Sequence, residues 1–338
     1  MIQIGDHDQL VQYLRVQGHV GSDEKPAIEP LPGGVSNRTF LVRRRHGECW
    51  VLKQALPQLR VPTAWFSSPS RNHAEAMALR WLPTLAPPGT IPGLVFEDTE
   101  NHLLAMRAVP PPNENWKTLL LNGHLKEDHV CQFATLLGQI HRGSSERKDE
   151  LRPLFQDQSF FESLRLEPYY AYTASQLHDA APFLNRLIRE TRQHRDCLVH
   201  GDYSPKNVLI HADRLVLLDH EVIHFGEPAF DLGFSLTHLL SKAHYLQSQR
   251  SSFVSAAHLY WRSYVQAVAP FHQTADFESR VVHHTLACLL ARVAGRSTLE
   301  YFSPDHRRAQ QEVVLQLVPS IPQSVTELID NFASQLLT

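Results

Sequence analysis

The 338-residue sequence contains no apolar run near the roughly 20 residues that a membrane-spanning helix requires. Its first ten residues, MIQIGDHDQL, lack the charged-then-apolar order of a secretory signal. Together these absences predict a cytoplasmic protein with no membrane partner. Cysteine is scarce. Cys49, Cys131, Cys197 and Cys288 are far apart and form no C-x-x-C pair, which excludes zinc ribbons and dithiol redox motifs and predicts free thiols. Excess charge of either sign is also missing. A net charge of −3 and a pI near 6.7 give no electrostatic case for nucleic acid or an anionic membrane surface. Arg43-Arg44-Arg45 reads as the solvated face of a hairpin. Histidine is plentiful at 21 but scattered, and the adjacent His283-His284 pair lacks the i, i+4 spacing of a shared metal site. No internal repeat or low-complexity tract is present. With 43% hydrophobic and 20% charged residues, the chain has the material for one or two packed cores.

The segment 198-LVHGDYSPKNVLIHADRLVLLDHE-221 carries the most chemistry. It places His200, Asp202 and Asn207 in an H-x-D-x-x-x-x-N pattern. Two short β-prone runs follow, Val208–Ile210 and Leu215–Leu218, with His211-Ala212-Asp213-Arg214 as the turn between them. A hairpin brings its ends together, so Asn207 and Asp219 should be neighbours. Asp202, Asn207, Asp219 and Glu221 offer only oxygen, which suits a hard cation such as Mg²⁺. In phosphoryl transfer of the kinase type an Asp takes the acceptor's proton, an Asn holds one metal, and a following Asp holds the phosphate-bridging metals. Two other readings are a surface hairpin whose Asp and Asn cap turns, and a metal-hydrolase site built from His200, Asp202, Asp219 and His220.

A site of the kinase type also needs a phosphate-covering loop, a strand lysine and a helix glutamate. Leu31-Pro32-Gly33-Gly34-Val35-Ser36-Asn37 precedes the β-like run Thr39–Val42, and its glycines allow close backbone approach to a phosphate. Lys53 ends the run Cys49–Leu52. The segment Ser70–Leu82 has helical periodicity and contains Glu75, the expected partner of Lys53. The Pro57–Pro69 stretch reads as a loop near the nucleotide site. Leu103–Met106 is a further strand, followed by Arg107-Ala108-Val109 and the prolines 110–112, which act as a linker. The order predicts an N-terminal lobe over 1–108 and a mainly helical C-terminal lobe over 109–338.

These residues resemble the aminoglycoside phosphotransferase and choline kinase group, from about Leu31 to Gly295. The resemblance is strongest in 200-HGDYSPKN-207 and 219-DHEVIHFGEPAFDLG-233. Within the group the chain looks most similar to methylthioribose kinases, through 53-KQALPQLRV-61, Trp65 and the D-x-E of Asp219-His220-Glu221. It departs from them in possessing Asn207, and in Ala291-Arg292 where they carry paired arginines. The resemblance implies an α+β, protein kinase-like fold of two lobes, the smaller an antiparallel sheet with one helix. It implies ATP as donor, Mg²⁺ as cofactor and a small hydroxylated acceptor.

By the resemblance Asp202 is the catalytic base, and Asn207, Asp219 and Glu221 are metal ligands. Gly33, Gly34, Ser36, Asn37, Lys53, Glu75, Arg107 and Val109 serve the nucleotide. His200 and Asp231 brace the catalytic loop. The aromatic-rich stretch 160–170 offers Arg165 and Tyr169 to the acceptor, with His224, Arg292 and Arg296 as further candidates. A sugar such as a methylthioribose-like compound is the expected acceptor. Aminoglycosides and amino alcohols are the alternatives, and the helical half lacks the dense acidic run a polycation would want. Nucleotide binding without transfer is the remaining alternative.

Overall fold

The computed structural model describes residues 2, 4–32, 34–61, 64–271 and 275–336. The first lobe is built on an antiparallel sheet: β1 (Ala27–Pro30), β2 (Asn37–Arg43), β3 (Cys49–Ala55), β4 (Leu94–Asp98) and β5 (Leu103–Arg107), in spatial order β1-β2-β3-β5-β4. Alternation along β3 decides what each face does. Trp50 and Leu52 point to one side and join Phe40, Val42, Phe96 and Leu103 in a core. Lys53 points to the other side, in register with Thr39 on β2 and Leu104 on β5.

The outer core is closed by α1 (His7–Val16), which contributes Leu10 and Leu14. The sequence reading allowed this lobe a single helix, and α1 is a second. Its start is capped by Asp6, whose Oδ1 accepts from the Gln9 amide at 3.1 Å. The expected helix is α2 (Arg71–Trp81). It buries Arg71, Asn72, Glu75, Ala76, Ala78 and Leu79, so its inward face is half polar.

Beyond the linker, β6 (Asn113–Asn115) leads into α3 (Trp116–Leu121) and α4 (Glu127–Glu146). β7 (Cys197–Val199) precedes the H-x-D segment. The hairpin β8 (Val208–His211) and β9 (Arg214–Leu217) follows, then β10 (His224–Gly226), which pairs back onto β7. Ala212 and Asp213, both at positive φ, form the two-residue turn between β8 and β9.

The Pro228–Tyr245 helix is buried on nearly every side and packs between the Arg250–Val268 and Ala275–Ala294 helices. It forms the floor of the second lobe. Glu162–Ala171 adopts a π-helix with Pro168 inside it. Tyr170 from this turn, with Phe160 and Phe161 just before it, packs in the core, while Arg165 and Tyr169 line the cleft between lobes. No described helix is long and apolar enough to cross a membrane, and the four cysteines are unpaired.

Candidate active site

The H-x-D loop is held from below by a buried carboxylate. Asp231, in the first turn of the Pro228–Tyr245 helix, accepts the His200 amide at 2.7 Å and the Gly201 amide at 2.8 Å. Burial alone would raise this acid. The His141 contact and the two amides hold it below the usual carboxylate range instead. Gly201 has φ +74°, and a Cβ there would lie 2.8 Å from Val222 Cγ1, so only glycine fits. The His200 ring accepts from the Asp202 amide at Nδ1 (3.1 Å) and donates from Nε2 to Leu218 O (3.2 Å). Both ring nitrogens are thereby spent on backbone, and burial keeps the ring neutral.

Asp202 stands above this frame. Its Oδ2 accepts from Arg165 Nη2 at 2.9 Å and from Asn207 Nδ2 at 2.7 Å. Its Oδ1 has no hydrogen-bond partner among the described residues. Arg165, expected to face the acceptor, spends its guanidinium on Asp202, Gly201 O (2.5 Å) and Leu164 O (2.6 Å). A buried arginine satisfies its donors where acceptors lie, and three lie around this loop. The hairpin joins Asn207 to the next segment through the Leu218 amide, 2.9 Å from Asn207 O. Asp219 follows at φ +66°, a left-handed conformation that Asp tolerates and that is concentrated at functional sites.

Lys53 Nζ lies 2.8 and 2.9 Å from the two oxygens of Glu75 and 2.7 Å from Asp219 Oδ1. Burial opposes the ammonium, but Asp219, Glu75 and Glu221 more than offset it, so Lys53 stays charged. The same Lys53 contact holds Asp219 ionised. Burial, reinforced by Asp219 and Glu221, pushes Glu75 up, and the Lys53 ammonium opposes that rise.

Glu221 binds the other lobe. Its Oε2 accepts from Asn37 Nδ2 at 2.9 Å and Arg71 Nε at 3.0 Å. Arg71 is fully buried, and each of its five N–H donors meets an acceptor. Besides Glu221 these are Ser67 O (3.1 Å), Ser68 O (3.0 Å), Leu56 O (3.0 Å) and Ser36 O. Three carboxylates, Glu75, Asp219 and Glu221, thus face two cations, Lys53 and Arg71. The residual negative charge, the Asp219 carboxylate and the amide oxygen of Asn207 suit a hard divalent cation. The hydrolase set does not assemble. His200 is committed to backbone, and the His220 ring is wholly buried with neither nitrogen bonded.

The glycine-bearing loop runs over this cluster. Gly34 has φ +73°. Arg60 Nη2 donates to Gly34 O (3.0 Å) and Asn37 O (2.8 Å). Gly33 lies outside the described residues. Ser36 is tied by its carbonyl to Arg71, and Asn37 by its amide to Glu221. Arg107 and Val109 are not brought to the cleft lining. Arg107 ends β5, in register with Trp50 on the face of the sheet opposite Lys53, where its exposed side chain pairs with Glu48 at 3.3 Å. Val109 O accepts from Asn113 Nδ2, at the start of β6, at 3.0 Å.

The cleft between the lobes measures about 410 Å³. Asp202, Asp219 and Glu221 line it from one end, and Tyr169, Arg292 and Arg296 from the other. Trp65, from the Pro57–Pro69 loop, closes one wall and donates from Nε1 to Ser163 O at 2.9 Å. His224 is not part of the cleft. It belongs to β10, stacks on Phe161 with ring centroids 4.2 Å apart, and is pushed down to about 4 by burial. Its Nδ1 lies 3.0 Å from Val222 O, and every residue from 220 to 230 is buried, so the ring has no path to the cleft surface. Arg71 and Arg60 were not anticipated from sequence. Their acceptors are mostly backbone carbonyls, which leave no residue-type signal.

Comparison with known proteins gives three further observations. A model of the phosphotransferase enzyme family matches residues 27–264. Methylthioribose kinase 1 of Oryza sativa subsp. japonica is 24% identical over 267 residues, covering 70% of this chain and 62% of that protein. The chain spans less than two thirds of the length of the curated relatives it matches. Among solved structures, an amicoumacin kinase in complex with AMP-PNP and Ca²⁺ gives a TM-score of 0.60 at 10% identity, covering 94% of this chain and 95% of that one. Choline kinase from Cryptosporidium parvum Iowa II gives 0.58 at 11% identity, covering 98% and 100%.

Proposed function

The chain belongs to the phosphotransferase enzyme family, with a protein kinase-like fold, and from that premise we propose that it transfers the terminal phosphate of ATP to a hydroxyl of a small polyhydroxylated acceptor. The observation that supports this most strongly is the meeting of Lys53, Asp202, Asn207 and Asp219 on one cleft, from separate segments of both lobes. Phosphoryl transfer asks a protein mainly for positioning and charge neutralisation. In this reading Lys53, fixed by Glu75, takes the nucleotide phosphates, and the Gly34–Asn37 loop covers them. Asn207 and Asp219 would hold Mg²⁺, which supplies neutralisation of phosphate charge when bound. Glu221 contributes at most Oε1, since Arg71 and Asn37 occupy Oε2.

Asp202 is the base. Arg165 and Asn207 immobilise its Oδ2, so Oδ1 receives the acceptor's proton. As that proton leaves, the acceptor oxygen forms its bond to the terminal phosphorus and the bond to the departing ADP oxygen breaks. Tyr169, Arg292 and Arg296 contact the acceptor. The likeness to methylthioribose kinases favours a sugar frame for it.

The test is ATP consumption by the purified chain with pooled sugars, sugar acids, sugar phosphates and amino alcohols. Asp202→Asn should lower kcat by about 10²–10⁴ while leaving ATP affinity within about twofold. Full acceptor-dependent turnover in Asp202→Asn would sink the reading. Activity that survives Lys53→Ala and needs no ATP would favour a hydrolase.

A further inference from the structure

Two cations at the end of the cleft away from Lys53, Arg292 and Lys242, have no carboxylate partner among the described residues. Arg292, on the Ala275–Ala294 helix, is 8% exposed. Its Nη1 donates only to neutral groups: Tyr169 Oη at 3.0 Å, Ser297 O at 2.5 Å and Ser297 Oγ at 2.9 Å. Its Nε is buried with no partner. Lys242, on the Pro228–Tyr245 helix, is wholly buried. Its Nζ donates to His238 O at 3.2 Å and sits over the Tyr301 ring, 5.6 Å from the centroid. Neither Arg292 nor Lys242 has an ion pair with a carboxylate among the described residues. Nearby, Lys117 on α3 is paired with Glu300. With Arg296, which pairs with Glu167 at 2.9 Å, four cations at this end share two carboxylates, and His238 and Tyr301, which both contact Lys242, line the cleft.

Burying a charge without a partner is costly, so such an arrangement is kept where a ligand supplies the missing charge. Resting on the phosphotransferase reading above, we infer that the acceptor carries an anionic group, a carboxylate or a phosphate monoester, which docks against Arg292 at the Lys117–Lys242 end of the cleft while its hydroxyl faces Asp202. Arg292 is suited to this because its fork offers unspent donors to a planar or tetrahedral oxyanion. The electrostatics agree. Burial pushes Lys242 down to about 7, and Lys117 and Arg292 add to that, with Glu300 offsetting only part. His238 is pushed well below its usual range, first by burial and then by Lys242, Arg292, Lys117 and Lys206. An anion beside these groups would restore the proton on Lys242. The inference sets the acceptor apart from methylthioribose, which carries no charge, and from amino alcohols and aminoglycosides, which carry the opposite one.

Two measurements on the full chain test it. In the first, ATP consumption is compared for ribose and ribitol, ribonate and gluconate, ribose 5-phosphate, and ethanolamine. Turnover confined to the carboxylates or to the phosphate ester supports the inference and says which anion is read. Arg292→Gln should then raise KM for that acceptor at least about tenfold, and Lys242→Met about threefold, with KM for ATP within about twofold. A kcat/KM for neutral or amino acceptors equal to or above that for the anionic ones overturns it. In the second, gluconate and inorganic phosphate are titrated into the protein without turnover. Binding by the wild type that weakens at least about tenfold in Arg292→Gln supports an anion subsite. Absent binding, or equal binding by wild type, Arg292→Gln and Lys242→Met, overturns it. ATP consumption with none of the acceptors would count against the phosphotransferase reading and leave the second measurement to decide the anion subsite. Thermal midpoints of both variants separate loss of binding from loss of fold.

Discussion

Replacing Arg71 by Met should be among the most damaging single changes in the first lobe. The side chain is 0% exposed and joins four stretches of chain: the glycine-bearing loop at Ser36, the end of β3 at Leu56, the Ser67-Ser68 turn, and Glu221 in the other lobe. Methionine fills a similar volume but donates nothing. Glu221, 6% exposed, would keep only Asn37 as a partner. Removing one member of a buried ion pair costs about 3–5 kcal/mol, because the other charge is left uncompensated. Four carbonyls would also lose their donor. For a chain of this size each kcal/mol moves the thermal midpoint by about 2–4 °C, so a fall on the order of 10 °C is expected. Because Ser36 and Leu56 would no longer be anchored, ATP affinity should also weaken by about tenfold or more, that is about 1.4 kcal/mol. Arg71→Lys should not restore the midpoint. An ammonium has three donors, in no planar fork, for acceptors spread around a guanidinium. The decisive assay is a double-mutant cycle with Glu221→Gln, read by thermal or urea unfolding. A coupling of about 2–3 kcal/mol is expected. Additivity within about 0.5 kcal/mol, or a wild-type midpoint in Arg71→Lys, would refute the assignment of Arg71 as an ionic link between lobes.

Two further expectations concern groups that ligands do not touch directly or at all. Lys242 has a folded-state value of about 7 against an ordinary 10.5. Below pH 7 it is charged in both folded and unfolded chains, and the cost of burying it is borne in full. Between those values the unfolded chain holds the proton more tightly, so stability rises with pH. The thermal midpoint of Lys242→Met should therefore exceed that of the wild type most at pH 6, with the gap shrinking toward pH 9; a gap that is constant or grows contradicts the burial of an unpaired ammonium. His224→Ala should lower stability by about 2–4 kcal/mol, read as a lower thermal midpoint, by removing a ring stacked on Phe161, yet leave KM for ATP and acceptor within about twofold; a selective rise in acceptor KM would return His224 to the cleft.

The parts of the site that were legible in sequence are those encoded locally. The β8–β9 hairpin fixes Asn207 next to the Asp219 segment through eleven consecutive residues, and its alternation and turn are written in that stretch. Lys53 and Glu75 are legible because strand alternation and a helical period each place one side chain predictably, although β3 runs two residues beyond Lys53. Arg71 was not, since an arginine at the start of a helix reads as solvated and nothing local announces carbonyls from positions 36, 56, 67 and 68. Arg165 was placed in the right cavity but given the wrong neighbour, because its approach to Asp202 depends on a π-turn that composition does not specify. The resemblance assigns Arg107 to the nucleotide, and His224 is a candidate for the acceptor. Backbone direction, set by β-pairing, carried both away from the cleft. The helix α1 had a clear cap in Asp6 and an apolar face, but its role in closing the sheet is visible only once the strands are ordered.

The ionic links between Lys53 and Asp219 and between Arg71 and Glu221 bear on modularity. A cut in the linker after Arg107 would separate the charges by sign. The first piece would keep Lys53, Glu75 and Arg71, with one cation in excess, and the second would keep Asp219 and Glu221 with no basic partner for either. A chimera that joined this first lobe to a foreign second lobe would need two carboxylates spaced as Asp219 and Glu221 are to pair Lys53 and Arg71 as here. The D-x-E segment thus makes the charge balance of the first lobe depend on the second, through Lys53 and Arg71.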